Sequence, residues 1–484
     1  MRNALKRWLP YLSPSGCMPP LCVLITLLGA CGSDDAVVVP PAADAGDDDT
    51  GVVDAGPNDG GDTDLGPNDA GPLDAAVDDA GTDAAMCPDE DGDGHGVVPC
   101  GDDCDDTLNT VNPDAVETCN GVDDDCNGSV DDGCAGIAEV SAGAMHTCAR
   151  RGSGAVVCWG AGGLIGDGTL LDRLMPTPVS GVTDAVELAL GDGHSCARLS
   201  SGAVVCWGNN SRGELGDGTG VFASTPTPAS GVTDAVEIVA AERHSCARLG
   251  SGAVVCWGGN SDGQLGDGTT INRLVPTPVL GLSDAVELAS DGLHTCARRV
   301  GGTVVCWGLS AYGQLGNPAV LDSRRPTAVV GLTDAVEIAA GEAHSCARRA
   351  TGEVVCWGRN DFGQVGDGTA TQRDVPTPVL GLTDAIELSN AGYYHTCARR
   401  SGGPTVCWGY NNVGQLGDGT IVNRSMPVPV SSLPDDIDIS AGGYHTCARR
   451  SSGEVMCWGG NSWGNLGDGT TTDRHVPTLV VVGL

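Results

Sequence analysis

Two sets of residues in this sequence have the types and the spacing to do chemistry. The first is a pair of acidic runs, Asp89-x-Asp91-x-Asp93-Gly94 and Asp123-x-Asp125-x-Asn127-Gly128, each with three oxygen side chains at alternate positions ahead of a glycine. Alternate side chains of a tight loop converge, the glycine permits the sharp turn, and a hard cation needs several oxygens at close range. A loop built on this pattern usually closes with a Glu at position twelve, but Cys100 and Cys134 stand there. The remaining ligands would come from Asp131, from Asp102, Asp103, Asp105, Asp106 or Asp132, or from main-chain carbonyls. Cysteines tied up as disulfides cannot hold zinc, so calcium is the expected cofactor.

The second set is the string H-[ST]-C-A-R-x7-C-W-G, which starts at His146, His194, His244, His294, His344, His395 and His445. Imidazoles and thiols are the usual material of metal sites and nucleophiles. Here each His holds the same place in its copy and none stands out from the others, so these His and Trp are expected to serve the scaffold. Other enzymatic chemistry lacks parts. Lys6 is the only lysine, which removes a P-loop and Schiff-base catalysis, and there is no G-x-S-x-G elbow. The chain is therefore not expected to be an enzyme.

The elements that position these residues are short. Val-Val runs lie between Gly, Asp, Asn and Pro clusters and no helical period appears, so strands and turns dominate. In every copy the two cysteines are ten apart and the residue six after the first is glycine. A hairpin with a three-residue turn ending in a left-handed glycine sets such cysteines opposite each other. The pairs Cys148–Cys158, Cys196–Cys206, Cys246–Cys256, Cys296–Cys306, Cys346–Cys356, Cys397–Cys407 and Cys447–Cys457 are therefore expected to be disulfides, with buried free thiols as the alternative.

Four short strands in about fifty residues, seven times over, predict an all-β, seven-bladed β-propeller over residues 136–484. The W-G-x-N-x-x-G-Q-L-G-D-G-T and A-x-G-x-x-H strings resemble the regulator-of-chromosome-condensation (RCC1) repeat family across that range. The repeats are expected to start inside one blade, so the last strand is expected to complete the first. The two residues before each His and the loop after each Cys-Trp-Gly must share one face of the disc. Tyr312, Phe362, Tyr393, Tyr394, Tyr410, Tyr444 and Trp463 occupy those slots, all in blades four to seven, and are the candidate partner-binding residues. Blades one to three offer Asp192, Glu242 and Arg243 there instead.

What precedes the propeller reads as export. Arg2, Lys6 and Arg7 open the chain, a short apolar run follows, and Leu28-Gly29-Ala30-Cys31 resembles the bacterial lipobox. The resemblance implies a signal peptide over 1–30 and a lipid on Cys31, with outer-membrane attachment facing the periplasm or the medium. Residues 31–86 then form a linker of Asp, Ala, Gly and Pro that cannot bury a core, roughly 40 Å end to end. Residues 87–135 hold the acidic runs and six cysteines, for which fifteen pairings are possible, and resemble the MopE-type metal-binding motif of bacterial surface proteins.

Of the net charge of −38, residues 34–134 carry −30. Neither that polyanion nor the mildly acidic propeller suits a phosphate backbone, so no nucleic acid is expected as partner. The expectation is a monomeric, envelope-anchored propeller with a calcium-stiffened collar, binding an unidentified protein or cell-surface ligand. The resemblance also implies two rivals: guanine-nucleotide exchange, as in the family's eukaryotic namesake, and inhibition of an enzyme such as a β-lactamase, as in secreted relatives.

Overall fold

The computed structural model describes residues 111–113, 115, 126, 136–389 and 392–481. Cys31 and the candidate calcium ligands Asp89, Asp91, Asp93, Asp123, Asp125, Asn127 and Asp131 lie outside the described residues. Within the cysteine-rich segment Cys126 is disulfide-bonded.

Residues 137–479 form seven four-stranded antiparallel sheets, each a meander in chain order. The first blade runs Ile137–Ala142, His146–Arg151, Val156–Gly160 and Arg173–Pro178, and the last ends with Arg474–Leu479. The first strand of every blade lines a central channel, so the chain enters each blade at the axis and leaves at the rim. The predicted completion of blade one by the last strand is not what occurs. Arg474–Leu479 pairs with Val455–Gly459 of its own blade, and the ring closes by packing blade seven against blade one.

The third strand, Val-Val-Cys-Trp-Gly in five of the seven copies, shows why these sequences become strands buried on both sides. Successive side chains of a strand point to opposite faces. Val156 and Cys158 therefore enter the seam with blade two, where they meet Trp207, while Val157 and Trp159 enter the seam with blade seven. Seven apolar clusters result, one per seam, and in six of them the cysteines of one blade pack with the next blade's tryptophan; the first blade's tryptophan closes the series against Cys447 and Cys457. All seven Cys-Trp-Gly tryptophans are fully buried. Truncating one to Ala would cost about 3–5 kcal/mol.

The hairpin turns follow the predicted pattern in six blades. In the first, Gly154 has φ 91°, its amide donates to the Arg151 carbonyl at 2.9 Å, and a Cβ there would fall 2.8 Å from Asp184 Cα in the next blade. Blade six departs from it: Pro404 follows the glycine, Gly403 is not left-handed, and Thr405 instead donates its hydroxyl to Asp436 at 2.6 Å. The outermost strands carry a proline at their fourth position, which blunts an otherwise open edge.

Candidate functional site, the acidic and aromatic face

The repeated polar residues are consumed by the scaffold. Each His Nε2 lies 2.6–2.9 Å from the Ser or Thr hydroxyl of the next blade, seven times around the ring. In six blades that hydroxyl donates onward to a loop carbonyl at 2.7–3.4 Å. A hydroxyl has one proton to give, so in those six blades Nε2 must be the donor. Complete burial holds the histidines far down, to about 3 for His146, His244, His344, His395 and His445 and about 4 for His194 and His294. The loop carbonyls also accept the indole N–H of each Trp at 2.8–3.0 Å. The scaffold roles expected for His and Trp are the ones they fill.

The seven cysteine pairs are disulfides, each between directly opposed residues with Cα atoms 4.1 Å apart. That is the spacing of a non-hydrogen-bonded pair. The channel of about 290 Å³ is lined by Glu139, Glu187, Glu237, Glu287, Glu337, Glu387 and Asp438. In blades one to five each glutamate is 2.5–2.9 Å from an Arg Nε of its own blade. Six of the seven acids also accept a backbone N–H from the next blade. Burial pushes Glu187 up to about 7 against the pull of Arg198, but the belt is a satisfied wall, with its acceptors already used.

Individuality lies on one face, which the hairpin register defines as predicted. Tyr410 N donates to Tyr394 O at 2.9 Å and Gly460 N to Tyr444 O at 2.8 Å, tying the loop after Cys-Trp-Gly to the residues before His. Five of the candidate aromatics make one connected cluster. Phe362 meets Tyr410 at 4.8 Å and Tyr394 at 5.4 Å, and Tyr393 meets Tyr394 at 6.0 Å and Tyr444 at 5.6 Å, all edge-to-face. Tyr312 joins through Arg359, whose guanidinium lies 5.0 Å from its ring, 5.5 Å from Phe362 and 5.2 Å from Tyr394. Trp463 makes no ring contact with them. Only Tyr444 and Trp463 are exposed; the others are half-buried, largely against one another.

The residues that sequence reasoning separated by blade converge near the axis. The Tyr393 hydroxyl of blade six approaches Asp192 of blade two, and that of Tyr394 approaches Glu342 of blade five. Tyr393 also passes over Gly443 of blade seven, reaching across the channel mouth. Glu242 and Asp291 complete a set of four carboxylates from four consecutive blades. Burial and the mutual repulsion of these acids push Asp192 up to about 7 and Asp291 well above the usual carboxylate range. Arg243 pairs with Glu242 at 2.6 Å and Arg359 with Asp361 at 2.8 Å. Among the described residues no cation pairs with Asp192, Asp291 or Glu342, and Asp192 Oδ1 and Glu342 Oε2 are buried without a hydrogen-bond partner. Arg359, Asp291 and Glu342 were not among the sequence candidates. Asp291 left a signal, since it replaces the small residue, Gly or Ala, found three before the other histidines.

This is a seven-bladed β-propeller with an invariant scaffold and one individual face. The chain belongs to the RCC1-like domain family, whose model matches residues 76–382 and 163–484. Among solved structures it is similar to human WBSCR16, with 22% identity over 64% of this chain and 86% of that one and a TM-score of 0.58. It is also similar to yeast RCC1 (Prp20) bound to Kap60, with 23% identity over 72% and 85% and a TM-score of 0.60. A further structure, of Prp20p from Saccharomyces cerevisiae with its binding properties to Gsp1p and histones, matches at 22% identity over 72% and 87%, TM-score 0.60. At these identities the likeness is one of fold. No curated protein sequence matches the chain.

Proposed function

We propose that this protein is a binding module, held at the bacterial envelope by a lipid on Cys31 and displayed on the linker 31–86, that docks a protein through the Tyr394–Tyr444 sector of its face. The observation that carries this reading is the separation of roles. Every repeated His, Cys and Trp is used up between blades, whereas the unrepeated aromatics gather on one side of one face. Large rigid rings of that kind are what protein interfaces use as anchors. The yeast relatives, one solved with Kap60 and one described with its binding to Gsp1p and histones, support the use of this fold to hold proteins. Calcium on the acidic runs of 87–135 would stiffen the collar between linker and propeller, a role supported by their donor set alone.

The test is crosslinking on intact envelopes followed by identification of the crosslinked protein. Tyr394→Ala with Tyr444→Ala should lower its yield at least tenfold at unchanged thermal stability. An unchanged yield removes the aromatic sector from the reading, and recovery of the chain in the cytosol with Cys31 unmodified removes the anchor.

A further inference from the structure

The acidic mouth of the channel deepens that reading by giving the partner a chemistry. Four carboxylates, Asp192, Glu242, Asp291 and Glu342, come from consecutive blades, and only Glu242 is in a direct ion pair; Arg243 and Arg359 act on Asp192 and Glu342 from farther away. Asp192 Oδ1 and Glu342 Oε2 are buried with nothing to accept from. An acceptor left in that state carries a desolvation penalty that an arriving donor recovers. Tyr393 and Tyr394 stand against these acids, and each has a single hydroxyl proton to offer. Two hydroxyl protons are fewer than the acceptors of four carboxylates, so the mouth has room for a donor from outside.

The adjoining rings show which donor suits them. Arg359 lies over Tyr312, Phe362 and Tyr394 at 5.0–5.5 Å, so this aromatic wall already takes one guanidinium by its faces. Tyr393 and Tyr444 continue the wall toward the acids, and no Arg or Lys among the described residues lies over them. Charge and shape therefore select a compact organic cation on a stem. They select against phosphate groups and anionic lipid. The described residues also contain no group of three or more acids, His or Cys arranged to close on a metal ion.

We propose that the mouth between Asp192, Asp291 and Glu342 is a socket for a basic side chain, an arginine or lysine projecting from a protein partner, which enters alongside Tyr393 and Tyr444. This rests on the reading of the face as a docking surface. The cation pairs with the carboxylates while its stem packs on the rings, so the socket favours partners with an exposed basic loop and rejects acidic ones.

The probe is a fluorescent octapeptide with two central arginines, titrated into the full chain, beside a peptide in which citrulline replaces them at the same shape without charge. We expect one peptide per chain, at least tenfold weaker binding of the citrulline form, and at least tenfold loss for Asp192→Asn combined with Asp291→Asn. These isosteric changes remove repulsion between like charges, so the melting temperature should hold or rise, and the citrulline comparison needs no variant at all. Equal affinity for the two peptides overturns the socket, as does undiminished binding by the double variant. Calcium that displaces the peptide from the wild type stoichiometrically would reassign the mouth to a metal. If the crosslinked partner is lost with the tyrosine variants but retained by Asp192→Asn/Asp291→Asn, the docking face stands and the socket falls. Loss by neither set removes the docking face, and a selective peptide titration would still leave the socket.

Discussion

His445 Nε2 of the last blade donates to Thr147 Oγ1 of the first at 2.7 Å, and that hydroxyl donates on to the carbonyl of Asn465 at 2.7 Å. These bonds and the apolar cluster around Trp159 close the ring where no strand crosses the seam. Thr147→Val keeps the shape and strands a buried imidazole N–H. The expected loss is about 1–3 kcal/mol in chemical denaturation, with an earlier loss of hydrogen-exchange protection in the first strand than in the middle blades. Unchanged stability would mean that the seam is held by something other than this relay.

The disulfide of blade four, Cys296–Cys306, lies in the seam cluster that contains Trp357 of blade five. It closes a loop of about ten residues, for which chain entropy gives about 2–3 kcal/mol of stabilisation. Cys296→Ala with Cys306→Ala should lose that much by denaturation and still fold, because six bridges remain in the ring. Thiol counting of the denatured, unreduced wild type should find none of the fourteen repeat cysteines free.

Acid should act through the histidine belt. Burial holds His294 down to about 4 in the folded chain, against 6.5 unfolded. Below pH 6.5 the unfolded state therefore binds a proton that the folded state refuses, and stability falls as pH falls, by about 1.4 kcal/mol per unit, until the folded pKa is reached. Buried acids such as Glu187 and Asp192, raised to about 7, work in the opposite direction between pH 7 and their unfolded values. A difference measurement cancels them. His294→Gln should be less stable than wild type at pH 7, and the gap should narrow by about 2 kcal/mol at pH 5. A gap independent of pH would show that His294 already titrates in the folded protein.

The blades were readable from the sequence because a disulfide ten residues long with a glycine at the sixth step admits one hairpin register. Closure was not. Blade one replaces the Thr-Asp-Ala lead-in of blades two, three, five and six with Ala135-Gly136-Ile137, which disguises a complete blade as a partial one. The acidic mouth was hidden for another reason. Asp192 and Tyr393 are two hundred residues apart and become neighbours only where loops of opposite blades converge on the axis. Position along the repeat fixes the face a residue occupies; its distance from the axis decides whom it meets.

Blade four offers the last prediction, because it lacks two ties that other blades have. In five blades the Asp of Gly-Asp-Gly-Thr grips an Arg at the start of the outer strand at 2.5–2.7 Å. In six, the glycine after that Asp donates its amide to the next blade's outer strand at 2.8–3.1 Å. Blade four has Asn317, Pro318 and Ser323 in these places, so it has neither the ion pair nor the amide donor. Asn317→Asp and Ser323→Arg together should restore the grip and add about 1 kcal/mol, the net worth of a charge-assisted bond that stays half in solvent. Each change alone should give little or nothing, so the gain should appear as coupling in a double-mutant cycle. A gain that is additive, or absent at low salt, would show that the blade-four loop no longer takes the path of its counterparts.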